Sequence, residues 1–190
     1  MVTHAGRAAV IALVGMAAID GRAEAGTAAR PRVALHVTDQ VSVPAGMLRQ
    51  SQTGATKVYG RIGVAVEWTT GSAALAPRDG ALHLDVIFLT DDAPAYRESD
   101  PTCFGKASPV TGRAYIFFGR VLAHARATTS DPAQVLAVVL AHELGHMLLP
   151  EYSHSGAGLM RARWYGPIFD VPPFTRAQAA TIRSQLSANH

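Results

Sequence analysis

The spacing of apolar residues divides most of the chain into strands and helices. Period-two alternation predicts four strands, over residues 32–39, 64–70, 82–90 and 113–121. Loosely helical spacing predicts a helix over residues 44–62, where Pro44 suits the first turn and Gly63 is a natural stop. The segments 71–80 and 91–112 are rich in Gly, Pro, Asp and Ser, so we expect them to be loops.

Two helices in the second half of the chain have clear start signals. Asp131 begins a capping-box spacing ahead of the first, and apolar residues surround most of that helix, which indicates burial in the middle of the domain. Pro150 cannot continue it. Thr175 and Gln178 repeat the capping-box spacing ahead of a C-terminal helix. The order of strands and helices predicts an α+β fold.

Length and composition predict a single domain over residues 26–190. The chain has 190 residues, 48% of them hydrophobic, which suffices for one core and leaves little room for a second. Its net charge of +3 is mild, and its 15 Arg and two Lys are scattered without a run, which argues against a nucleic-acid partner. Cys103 is the only cysteine, so an internal disulfide is excluded.

Residues 1–25 have the pattern of a signal peptide. Basic residues precede an apolar run over 8–19, and Ala23 and Ala25 are the small residues that a signal peptidase requires. About a dozen apolar residues fall short of the roughly 20 that span a bilayer, which argues against a membrane anchor. We therefore expect cleavage after Ala25 and export to a periplasm, a cell surface or the medium, with no stable membrane span in the mature chain.

The candidate chemistry lies in an HExxH sequence on the buried helix. His142 and His146 are four residues apart, so both imidazoles project from one face and can bind a single metal ion. Glu143 lies about 100° round the helix from His142, where its carboxylate can take a proton from metal-bound water. This geometry is typical of zinc hydrolases.

A tetrahedral catalytic zinc takes a third protein ligand and keeps one position for water. His154 is the nearest candidate, because it lies beyond Pro150, where the chain can turn back towards the metal. HExxH also arises by chance on helices that contain histidine, and two core or surface histidines remain an alternative on this motif alone.

The residues after the helix resemble a known clan. His154 and Ser155, followed by the Gly158, Leu159 and Met160 sequence, are similar to the metzincin zinc endopeptidases, and to the matrixin-like branch in particular. The resemblance implies Zn²⁺ as cofactor, zinc ligation by His142, His146 and His154, Glu143 as general base, and Met160 as the Met-turn residue beneath the ligands.

The resemblance also implies a fold and a function. The fold would be zincin or metzincin-like: a twisted, mostly four-stranded sheet, two long helices with the metal helix central, and a C-terminal helix after the Met-turn. The function would be endopeptidase cleavage of peptide or protein substrates, which would lie along the edge strand near residues 113–119. The alternative is a metal-holding surface or binding domain of the same fold with little or no turnover, but a purely structural site would not require Glu143. Hydrolysis of a non-peptide amide is a third interpretation.

Two features of this chain depart from the metzincin pattern. Leu149 stands where the pattern has a glycine that leaves the helix in a left-handed conformation, and His154 comes twelve residues after His142 instead of ten. The two extra residues must be absorbed in the loop 151–153. Glu151 or a water therefore competes with His154 as the third ligand.

Other residues near this stretch have two interpretations each. A hydroxyl of Tyr152 or Tyr165 could stabilise an oxyanion, although loop aromatics more often pack. Arg161 and Arg163 could bind a carboxylate, but exposed loop arginines are usually solvated, and we assign them no role. Cys103 could reach the zinc as a thiolate or stay a half-buried thiol. The remaining histidines sit singly and are predicted not to be ligands: His36, His83, His124 and His190.

Overall fold

A five-stranded mixed sheet organises the computed structural model, which describes residues 30–70, 80–151 and 153–188. The strands are β1 (Arg32–Asp39), β2 (Ala65–Thr70), β3 (Ala81–Phe88), β4 (Gly105–Ser108) and β5 (Arg113–Ile116). Their order across the sheet is β2-β1-β3-β5-β4. Neighbouring strands are parallel except for β4, which pairs antiparallel with β5 and forms one edge.

Five α-helices complete the described part of an α+β fold. They are α1 (Ala45–Arg61), α2 (Pro94–Arg97), α3 (Phe118–Thr128), α4 (Pro132–Leu148) and α5 (Arg176–Ala188). The core lies between the sheet and the helices, and α4 runs through it with nearly every residue buried up to Gly145. Because α4 has no wide solvated face, it packs against the sheet on one side and against α1, α3 and α5 on the others. No helix within the described ranges has both the length and the apolar composition needed to cross a membrane.

Most of the predicted elements are confirmed. Strands β1, β2 and β3 and helices α1, α4 and α5 lie where the apolar spacing places them. On β1, Val33, Leu35 and Val37 are buried as the alternation predicts, Ala34 on the opposite face is buried as well, and His36 is only partly covered. The predicted signal peptide, and nearly all of the predicted loop 71–80, lie outside the described residues.

Two predictions about the middle of the chain are wrong. Segment 91–112, predicted to be a loop, contains α2, a 3₁₀ turn and the edge strand β4, so the sheet has five strands and not four. The predicted strand over 113–121 ends at Ile116, and α3 begins at Phe118. The helical signal is present, because Phe118, Val121 and Ala125 have helical spacing and are the buried residues of α3.

Candidate metal centre

Three histidines converge where α4 ends. The Nε2 atom of His146 lies 3.0 Å from Nε2 of His142 and 3.1 Å from Nε2 of His154. His142 and His146 come from one face of α4, and His154 comes from the loop that follows it. One nitrogen from each ring falls within 4.8 Å of the other two, and no other such group of three occurs among the described residues. The structure thus brings the three predicted ligands together.

The other nitrogen of two of these rings is hydrogen-bonded to the protein. His142 Nδ1 lies 2.9 Å from the backbone oxygen of Leu159. A carbonyl oxygen can only accept, so His142 carries its proton on Nδ1 and leaves the Nε2 lone pair bare. His146 Nδ1 lies 3.1 Å from Ser153 Oγ. These bonds fix the orientations of the two rings, as hydrogen bonds to the far nitrogen of a metal-binding histidine do.

The donor set fits a metal ion. Burial lowers the pKa of His142, and burial followed by the neighbouring His142 and His154 rings lowers the pKa of His146 to about 3. Both rings are therefore neutral, as a metal ligand must be. Bonds of about 2.0–2.1 Å at tetrahedral angles would put neighbouring nitrogens about 3.3 Å apart, close to the observed spacing. Imidazole ligands suit Zn, Cu, Fe and Ni.

The chain leaves α4 without a glycine. The helix ends at Leu148, and Leu149 takes an extended conformation (φ −121°, ψ 156°) with its side chain buried. A left-handed residue is therefore not needed at this position. The returning chain is fixed by a 2.7 Å hydrogen bond from the Ser155 N–H to the Met160 carbonyl.

Replacing Ser153 by alanine is expected to weaken metal binding by about 10–100-fold, the usual cost of removing a group that hydrogen-bonds to a metal-binding histidine. The loss of the Ser153 Oγ bond would free the His146 ring to rotate. Competition with a chromophoric chelator measures the affinity. Ser155→Ala is the matched control, because its hydroxyl contacts the Ala157 carbonyl and the Gln178 amide and no histidine. Equal effects in the two variants would contradict a specific role for Ser153.

Glu143 is held between α4 and the edge strand. Its side chain is 6% exposed, and the backbone N–H of Ala107 donates a hydrogen bond to its carboxylate. Burial raises the pKa of Glu143 to about 8, and the Ala107 bond opposes that rise. A Cβ atom built on Gly105 would lie 2.6 Å from Glu143 Cγ, so β4 has room for this carboxylate only because residue 105 is a glycine.

Met160 is fully buried beneath the end of α4. Its sulfur packs against Gly145, where an added Cβ would lie 2.4 Å from Sδ and 3.3 Å from the Phe174 ring. Gly145 sits between the helical residues Leu144 and His146, so its missing side chain lets Met160 approach the ligand-bearing turn.

Gly145→Ala is expected to destabilise the protein by about 1–3 kcal/mol, although alanine is the better helix former. The added methyl would push Met160 and Phe174 out of their packing positions. Urea denaturation measures the change. Gly46→Ala in α1 is the matched control, because nothing lies within 4 Å of the added methyl, and it should be neutral or slightly stabilising. An unchanged urea midpoint for Gly145→Ala would contradict the expected destabilisation and would mean that Met160 and Phe174 can move aside without cost.

An open cleft of about 470 Å³ contains the histidine group. The edge strand, with Gly105, Lys106 and Ala107, and the segment 161–164 that follows Met160 both line this cleft. The expectation that the edge strand lies near residues 113–119 is wrong, because β5 pairs with β3 on one side and β4 on the other. The edge available to a ligand is β4.

The remaining candidates take different positions. Glu151 lines the cleft but lies outside the three-histidine group. Tyr165 is 81% exposed, and its hydroxyl hydrogen-bonds to the Arg163 side chain, whereas Tyr152 lies outside the described residues. Cys103 lines the cleft as an exposed free cysteine and not as a half-buried one, and desolvation, followed by the Asp100 and Glu143 carboxylates, raises the pKa of its thiol.

Two arrangements in the structure have no signal in the amino-acid sequence. The Arg120 guanidinium donates to the carbonyls of Tyr96, Asp100 and Cys103 and so fastens the segment before the edge strand to α3. His36 and His83, expected to be single, contact each other on adjacent strands with Nε2 and Nδ1 3.1 Å apart.

A scan against protein-family models finds no family that matches this chain, and a search of curated proteins finds no similar one.

Proposed function

We propose that this protein is an exported zinc-dependent endopeptidase of metzincin type. The observation that carries the proposal is the convergence of three Nε2 atoms beside a buried glutamate at the edge of a sheet. The mixed sheet with one antiparallel edge strand, the central ligand-bearing helix and the helix after Met160 are consistent with the metzincin resemblance. Export is proposed from the N-terminal sequence pattern alone.

His142, His146 and His154 would hold the zinc ion. When bound, the ion supplies Lewis-acid chemistry: it polarises a carbonyl and makes a water molecule more acidic. Glu143 then acts as the proton carrier of the reaction. Its carboxylate receives a proton from the attacking water and delivers it to the leaving nitrogen of the cleaved peptide bond. The Ala107 N–H stabilises the ionised form of Glu143 that this step requires.

The edge strand offers backbone groups to an extended peptide. Along an antiparallel edge, alternate residues direct N–H and C=O away from the neighbouring strand. Ala107 is such an outward residue, since its N–H reaches Glu143, and Gly105 two positions earlier has the same orientation. The Gly105 N–H and the two outward carbonyls remain for a substrate that adds to the sheet as a further strand.

A peptide-library cleavage assay on the purified, zinc-loaded protein tests the function. Cleavage that disappears both on treatment with a chelator and in Glu143→Ala would support it. If the protein binds zinc fully but cleaves no library member faster than Glu143→Ala does, the endopeptidase proposal fails. A metal-holding binding domain would then be the better description.

A further inference from the structure

The charged residues that line the cleft include more basic than acidic side chains. Five of the lining residues carry charge: Lys106, Arg161 and Arg163 are basic, and Glu143 and Glu151 are acidic. Glu143 is buried behind the edge strand, where its partner is the Ala107 N–H. Glu143 is therefore paired inside the protein, and Glu151 is the other acidic lining residue beside the three basic ones.

Of the three basic residues, one points away from the cleft and another has partners of its own. A Cβ on Gly105 would point at Glu143 in the cleft, and successive side chains of a strand point to opposite faces, so the Lys106 side chain projects from the other face of the sheet. Arg163 hydrogen-bonds to Tyr165 and lies close enough to Asp100 for their charges to interact. Arg161 differs from both, because no carboxylate of the described residues forms an ion pair with it.

Arg161 is held beside the third histidine. Its backbone forms a parallel bridge with Ser155, the residue that follows His154. Its guanidinium lies over the ring of Trp164, 5.6 Å from the ring centroid, and both side chains line the cleft. A cation–π contact with an aromatic ring holds the guanidinium near the ring and leaves its N–H donors free for a further partner. A planar guanidinium with free edge donors matches the two oxygens of a carboxylate.

We propose that Arg161 is a specificity residue that binds a carboxylate of the substrate. This inference rests on the proposed peptidase function and adds a substrate class to it: peptides that carry an acidic side chain close to the cleaved bond. The terminal carboxylate of a short peptide offers the same chemistry. In either case the carboxylate would supply the ion-pair partner that Arg161 lacks among the described residues.

Matched peptide pairs test the proposal. A peptide that the protein cleaves is made with Glu or Gln at each position near the cleaved bond, and each version with a free or an amidated C-terminus. The best Glu version should have a kcat/KM about fivefold above its Gln partner, the scale of one solvent-accessible ion pair. If the terminal carboxylate is the ligand, amidation and not the Gln exchange should lower kcat/KM.

Arg161→Met should remove that preference by lowering kcat/KM for the Glu or free-carboxyl peptide to the value of its Gln or amidated partner. Arg126→Met is the matched control, since it removes an equal charge from an exposed position on α3 outside the cleft. Thermal unfolding of both variants checks that the fold is intact. A preference that survives Arg161→Met, or a wild-type protein that has none, overturns the role of Arg161 while the peptidase proposal stands.

A binding assay separates the two proposals. Fluorescence anisotropy of labelled Glu and Gln peptides is measured on Glu143→Gln and on Glu143→Gln combined with Arg161→Met, so that no turnover is needed. Tighter binding of the Glu peptide that is lost with Arg161→Met supports the carboxylate site even if no peptide is cleaved. Equal binding of both peptides to Glu143→Gln overturns it.

Discussion

Replacing any one of His142, His146 and His154 by alanine is expected to lower zinc affinity by at least about 10³-fold. Structural zinc sites bind with roughly 10–16 kcal/mol in total, so each of three ligands contributes several kcal/mol, and 1.4 kcal/mol corresponds to a factor of ten. The three Nε2 atoms lie close enough to share one ion, and two of the rings are held by bonds to Leu159 and Ser153. Zinc stoichiometry after dialysis, and competition with a chelator, measure the loss.

The same experiment decides the identity of the third ligand. His36→Ala is the matched control, because it removes an imidazole from the sheet, away from the cleft, and should leave zinc binding unchanged. Glu151→Ala should also leave it unchanged, since that carboxylate lies outside the histidine group. Full retention of zinc in His154→Ala together with loss of zinc in Glu151→Ala would mean that Glu151, and not His154, is the third ligand.

Local signals account for the parts of the fold that the sequence predicts. The Thr175 and Gln178 capping box is present, with reciprocal bonds of 3.0 Å and 3.3 Å at the start of α5. Asp131 caps α4 by accepting from the Ala133 N–H, which is a single cap bond without the Gln134 side chain. Such signals need only neighbours along the chain, so α4 could be predicted together with the positions of His142 and His146 on it.

The missed elements depend on partners far along the chain. The GKAS segment of β4 has no alternation of its own and is a strand only because it pairs with β5. Glycine at position 105 looks like a loop residue in the sequence, but in the structure it gives Glu143 the space that a side chain would occupy. A rule based on composition therefore assigned the wall of the cleft to a loop.

The loop between α4 and His154 shows the same limit. Leu149 and the longer spacing are visible in the sequence as departures from the metzincin pattern, but the path of the chain from Leu149 to His154 is not. An extended Leu149 replaces the left-handed glycine, and Ser153, one residue before His154, contacts His146. Ser153 carries no sequence signal of its own, because its hydroxyl gains a role only once the loop folds back on the helix.

Glu143→Gln is expected to lower the rate of peptide cleavage by about 10²–10⁴-fold, the contribution of a positioned general base, and to leave zinc bound. Glutamine has nearly the same shape, so it fits the space opposite Gly105 and its carbonyl oxygen can accept the Ala107 N–H, but it cannot take up a proton. Cleavage rate and zinc content are measured on the same preparation.

Glu98→Gln provides the matched control, because it makes the same exchange at an exposed position outside the cleft and should leave the rate unchanged. Loss of zinc together with activity in Glu143→Gln would mean that the carboxylate supports the metal site and is not only a proton carrier. Cleavage at the wild-type rate would exclude Glu143 as the base. Another group in the cleft would then have to accept the proton, and Glu151 is the other carboxylate among the lining residues.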